Sequence, residues 1–209
     1  MNPQLLDKPV SESNQCFTLY DVSWEQFEAI EAALDFPRIR LAYLDGTLDI
    51  MTPLSDEHED GKTTIRKLLE VYLEEKSIRF YARGSKTIGN IRLGGRKEPD
   101  ESYNLLTKKD IPDLVIEVVV TSGGVNVLEI YKRVKVPEVW FWRKGTLSIY
   151  HLREQEYEQI EQSELLPELD LALFVRCANI PDQYDAVVEF RNALRAQKTE
   201  NSPNTIDRI

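Results

Sequence analysis

The chain has 209 residues, a formal net charge of −10 and an apolar fraction of 42%, with three Trp, nine Tyr and seven Phe. That length suits one well-cored domain, the aromatic content excludes a disordered class, and no apolar stretch approaches the ~18 residues of a membrane span. The acidic balance excludes electrostatic coating of nucleic acid, but the charge is polarised. Arg79 to Lys97 holds six basic residues and no acid, whereas Glu154 to Asp170 holds seven acids and no base.

Residues 1–18 read as an arm without periodicity and without a signal-peptide core, and Cys16 and Cys177 form no metal-ligand spacing, as in a reduced cytoplasmic protein. Ser23 and Gln26 make a capping-box pattern before Trp24, Phe27, Ile30 and Leu34 on one helical face. Asp45-Gly46 between Arg40–Leu44 and Thr47–Met51 predicts a hairpin. Ser55 can cap a helix to about Lys76, with Ile65, Leu68, Leu69, Tyr72 and Leu73 as its apolar stripe. Residues 78–105 read as strands broken by glycines, and Pro112 opens a further strand. A helix is expected from about Asn126 to Lys135, then strands over 138–142 and 147–151, a further one over 157–160, and a last helix over 183–195. This is an α/β pattern, with one domain over residues 19–196 and a disordered tail over 197–209.

Glu117 stands alone in the apolar run Leu114–Val120, which reads as a strand buried on both faces. An ionised carboxylate there costs several kcal/mol unless a cation or strong donors meet it, so Glu117 needs a partner, with a metal ion or a buried Lys or Arg as the candidates. Pro99-Asp100 heads the strand Asp100–Leu105. If Asp100 faces Glu117 in an antiparallel pair, a six-residue connection joins the strands, and the two Cβ atoms lie about 4.5–5.5 Å apart. Oxygen ligands so close favour Mg²⁺ or Mn²⁺. Asp113, about 13 Å along the strand, reads as a structural residue at the strand entrance. Trp140 and Trp142 read as core, and His151 carries no role.

Pro99-Asp100, sixteen intervening residues and Glu117-Val118-Val119 resemble the motif of the PD-(D/E)XK, restriction-endonuclease-like nucleases. Blocks at 98–103, 112–118, 121–124, 128–131 and 138–142 resemble a bacterial branch of endonuclease-like proteins long described as a domain of unknown function. The resemblance covers residues 20–195. It implies a mixed central sheet whose β-meander carries the acidic site, flanking helices, and an extra N-terminal helix and hairpin. It further implies Asp100 and Glu117 as metal ligands for Mg²⁺ or Mn²⁺, Glu59 beside His58 as an assisting acid, and Ser122 as a phosphate contact or helix cap.

The lysine of the motif is absent: Val119 stands two residues after Glu117, and Val127 stands where the resembling branch places it on the following helix. Lys132 is the candidate on that helix, although it is rotated about 140° from Val127, and Lys135 lies about 80° away and two turns on. Arg83 or Lys86 could instead reach in from the basic stretch, which with Arg92 would also contact phosphate. The expected function is a metal-dependent DNA endonuclease of reduced rate, acting as a symmetric homodimer. The alternative is a degraded nuclease-fold module that binds protein or nucleic acid. A carbohydrate hydrolase, which needs carboxyls ~5–9.5 Å apart in a sugar cleft, has no supporting aromatic pattern.

Overall fold

The computed structural model describes residues 15–34, 39–52, 56–120 and 123–200. The arm over 1–14, Ser55, Ser122 and the tail from 201 lie outside them. Helix α1 (Trp24–Ala33) starts at the expected capping box: Ser23 Oγ accepts from Gln26 N, and Gln26 Oε1 accepts from Ser23 N. Strands β2 (Arg40–Leu44) and β3 (Thr47–Thr52) form the Asp-Gly hairpin. Asp45 and Gly46 both have positive φ, as a two-residue turn matched to strand twist requires.

That hairpin grows into a five-stranded antiparallel sheet. Residues 15–18, expected within an irregular arm, belong to β1 (Gln15–Leu19), which pairs with β3. On the other side β6 (Gly95–Lys97) pairs with β2, and β5 (Ile88–Asn90) closes the sheet. The order is β1-β3-β2-β6-β5.

The second sheet is the mixed one. Its members are β4 (Phe80–Ala82), β7 (Glu101–Leu105), β8 (Leu114–Val118), β9 (Glu138–Arg143), β10 (Thr146–Leu152) and β11 (Tyr157–Ile160). Their order is β11-β10-β9-β8-β7-β4. Only β8 and β9 run parallel, joined by a crossover through α3 (Val127–Val134), and every other pair is antiparallel. The helix, acidic meander, helix and parallel strand thus follow in the order expected of a restriction-endonuclease-like core.

Strand β8 is buried along its whole length because it faces two cores. Leu114, Ile116 and Val118 pack with the stripe of α2 (Asp56–Glu75), Trp140, Trp142, and Phe174 and Phe190 from the C-terminal helices. Val115 packs on the opposite side with Tyr131, Val136, Val139 and Ile88. Alternation along a strand therefore sends Glu117 toward the second core, under α3 and the β5–β6 hairpin. Both tryptophans are core, as expected. Helix α4 (Leu171–Ala178), capped by Asp170 and burying Leu173, Phe174 and Cys177, was not anticipated; at eight residues it offers only about two turns of pattern. Helix α5 (Gln183–Glu200) runs past the expected end at 195, so residues 197–200, expected in a disordered tail, are helical.

Candidate active site

The register of the acidic hairpin is the one expected. Glu101 pairs with Ile116, Ser102 with Val115 and Tyr103 with Leu114, so the next step outward sets Asp100 against Glu117. Val118 N donates to Asp100 Oδ2 at 2.8 Å and fixes that carboxylate at the strand mouth. Asp113 has the structural role expected of it: its Oδ2 accepts from Leu105 N and its Oδ1 from Lys109 Nζ.

The partner that Glu117 requires is Lys97. Its Nζ lies 3.2 Å from Glu117 Oε2, and the two residues are 6% and 4% exposed. Lys97 Nζ also donates to Glu98 O at 3.3 Å. Tyr131, from α3, donates its hydroxyl to Glu117 Oε1. Asp100, 5% exposed, receives a further contact from His58 Nε2 at 3.2 Å, on the first turn of α2. Lys97 belongs to the first sheet, Asp100 and Glu117 to the second, and His58 and Tyr131 to helices. The site therefore forms where the two sheets meet.

These contacts divide the two carboxylates electrostatically. Burial raises Glu117, opposed by the Lys97 charge, and leaves it at about 7. Burial pushes Asp100 up as well, but the His58 hydrogen bond, the charges of His58 and Lys97 and the Val118 N–H outweigh it and hold Asp100 below its usual range. Desolvation lowers His58, yet Asp100 and Glu59 raise it overall. Burial and the neighbouring Glu117 carry the Tyr131 phenol well above its ordinary value, so it acts as a donor. Asp100 is thus held charged, whereas Glu117 takes up a proton more readily than an ordinary carboxylate.

The other expected residues fall into place around this centre. Glu59 reaches the acids through His58, whose Nδ1 lies 3.4 Å from Glu59 Oε1. Lys132 does not join the site: it pairs with Glu129 at 2.6 Å and Glu156 at 3.1 Å, as its rotation from Val127 anticipates. Arg83 does not reach in either, because its Nη1 donates to Asn104 Oδ1 and Lys109 O and ties β4 to the β7–β8 turn. Lys86 and Arg92 are exposed on the β5 side of the first sheet. Ser122 lies outside the described residues.

Two residues escaped sequence reasoning. Lys97 was visible as the last basic residue before Pro99-Asp100, and its strand alternation points it inward, but no local signal tied it to Glu117. Asp49, on β3, accepts from Gly124 N at 3.0 Å, Val125 N at 2.8 Å and Thr18 Oγ1 at 2.6 Å. It thereby seats the segment entering α3, where Asn126 is the cap by position but makes no side-chain cap bond. A Cβ at Gly123 would overlap the Asp49 carboxylate, which is why glycine stands there.

The α/β core thus brings together a Pro-Asp strand head, a buried Glu on the neighbouring strand and a lysine against that Glu. The family model described as "Uma2: Putative restriction endonuclease" matches residues 24–178, and the chain belongs to that family. Among solved structures, one titled a putative nuclease belonging to DUF820 from Anabaena variabilis ATCC 29413 is similar with a TM-score of 0.42 and 14% identity. The match covers 72% of this chain and 90% of that one. A comparison with curated proteins gives no match. Among the described residues, no helix is long and apolar enough to cross a membrane.

Among the described residues, no three His, Cys, Asp or Glu side chains converge as a closed metal cage. Mg²⁺ does not demand one, since it is commonly held by one or two carboxylates with water and substrate phosphate completing its shell. The facing pair Asp100 and Glu117 fits that donor set, with hard oxygens only.

Proposed function

We propose that this chain is a metal-dependent endonuclease that hydrolyses phosphodiester bonds of DNA. The observation that carries the reading is the convergence of Asp100, Glu117 and Lys97, from three separate strand ends, in a chain of a restriction-endonuclease family. Asp100 and Glu117 would hold Mg²⁺ or Mn²⁺, which when bound polarises a phosphate and acidifies a water. Lys97 takes the place of the missing motif lysine. Its ammonium stands beside Glu117 and stabilises negative charge that develops on the phosphate. His58 orients Asp100, Glu59 supports His58, and Tyr131 orients Glu117. Exposed Lys86 and Arg92 are assigned to phosphate contacts flanking the centre. On this reading the protein works in the cytoplasm as a homodimer.

The test is cleavage of supercoiled DNA with Mg²⁺ or Mn²⁺. Wild type should cut, and Asp100→Ala and Glu117→Ala should not. Lys97→Ala should lose about 10²–10³ in rate, the usual cost of removing one charge-stabilising donor. Cutting that survives both carboxylate substitutions would sink the assignment.

A second reading is favoured by one observation. Both oxygens of Glu117 are already engaged, and the three central residues are almost fully buried. A satisfied, closed network is what a degraded binding module would keep. Wild-type protein that is folded but binds neither metal nor turns over any DNA supports this second reading.

A further inference from the structure

Beside the acids, a cleft of about 390 Å³ opens between α1 and the ends of β2 and β6. Arg40, Arg96, Lys97 and Thr87, with the acids Glu31 and Glu98, supply its polar walls, and Phe27 and Leu41 part of its apolar floor. In a chain of net charge −10, a lining of three cations against two acids runs against the overall field. Two of them are held by single acids: Arg96 Nη1 lies 3.1 Å from Glu31, with its guanidinium over the Phe27 ring, and Arg40 Nη1 lies 3.7 Å from Glu98. The Arg40 contact is loose, and its buried Nε has no hydrogen-bond partner among the described residues. That Nε is closed to solvent, so what the cleft offers a ligand is the partly exposed Nη end of the guanidinium, held only by the loose Glu98 contact. Lys97 lines this cleft and also touches Glu117, so the cleft and the acidic centre share a wall. From Lys97 to Asp100 the chain spans at most about 10 Å, or roughly three steps of a DNA strand at 3.4 Å each.

We infer that this cleft is a backbone subsite for the DNA strand next to the scissile phosphate, with Arg40 as its principal phosphate contact. The inference rests on the nuclease reading for its substrate. The Nη end of Arg40 makes only a 3.7 Å contact with Glu98, too long for a hydrogen bond, and planar guanidinium donors match phosphate oxygens. Arg96 is committed to Glu31 and Phe27 and shapes the cleft wall. Glu98, half-exposed opposite Arg40, competes with the phosphate and limits affinity.

The test is fluorescence anisotropy of a labelled DNA duplex at several salt concentrations in EDTA, so that binding is read without cleavage. Arg40→Gln should weaken binding several-fold and lower the slope of log affinity against log salt by about one, the mark of one lost phosphate contact. Glu98→Gln should tighten binding, a gain that no folding defect can imitate. Lys144→Gln, an equal charge loss on the exposed β9–β10 turn, should do neither. The inference is overturned if wild type does not bind, if Lys144→Gln matches Arg40→Gln, or if Glu98→Gln leaves affinity unchanged. Complete displacement of the duplex by a mononucleotide would also overturn it. Should these shifts appear in a protein that never cuts DNA with Mg²⁺ or Mn²⁺, the nuclease reading falls and the cleft stands as a DNA-backbone site without a scissile phosphate. Cutting without these shifts removes the subsite alone.

Discussion

Replacing Lys97 by Met removes the buried ammonium while keeping most of the side-chain volume. Glu117 would then retain only Tyr131 as a donor. Breaking one side of a buried ion pair costs about 3–5 kcal/mol, because the remaining charge is stranded. In a chain of this length that corresponds to a fall in melting temperature of roughly 6–20 °C. The loss should be largest near pH 8 and shrink near about pH 5.5, where Glu117 can take a proton instead. Glu117→Gln removes the charge but leaves an oxygen for Tyr131. The double variant Lys97→Met/Glu117→Gln should therefore recover much of the loss, with a coupling of at least about 2 kcal/mol in the cycle. The assay is urea denaturation of the four proteins at both pH values. A cost below about 1 kcal/mol for Lys97→Met near pH 8, or costs that simply add in the double variant, would refute the buried pair.

Three further outcomes follow from the same contacts. Because Glu117 is raised from 4.5 to about 7, the folded state holds its proton more tightly than the unfolded state. Stability should therefore fall as pH rises between those values, by on the order of 3 kcal/mol; raised His58 acts in the same direction. Urea midpoints measured across this range should slope less in Glu117→Gln, and an unchanged slope would assign the titration elsewhere. Asp49→Ala leaves the N–H groups of Gly124 and Val125 without their acceptor, and should cost about 1–3 kcal/mol and speed amide exchange at the start of α3. Glu138, fully buried, accepts from Trp140 Nε1 at 2.7 Å, Ser163 Oγ at 2.5 Å and the Glu164 and Leu165 N–H groups. Glu138→Leu should destabilise by about 3–5 kcal/mol in thermal melts, and a loss below about 1 kcal/mol would show that water replaces the carboxylate there.

Interactions between near neighbours were legible in the sequence alone. The Ser23–Gln26 capping box, the Asp45-Gly46 turn, the stripe of α2 and the facing of Asp100 by Glu117 each depend on residues a few positions apart or on one short hairpin. Periodicity and turn chemistry encode such contacts directly, and the short loop between β7 and β8 limits their register. The sequence also showed that Glu117 needs a partner, with a cation as the candidate, since burial of a lone carboxylate is prohibitive. Which cation answers it was decided only by the tertiary structure. Lys97 meets Glu117 because β6 joins the N-terminal hairpin rather than the acidic meander, and the two sheets then close on one another under α3. The same closure brings Asp49 to Gly124 and Val125, and leaves Lys132 facing Glu156 on the outside. Strand order and sheet packing are choices among long-range pairings, settled by the burial of whole faces and not by any local run of residues.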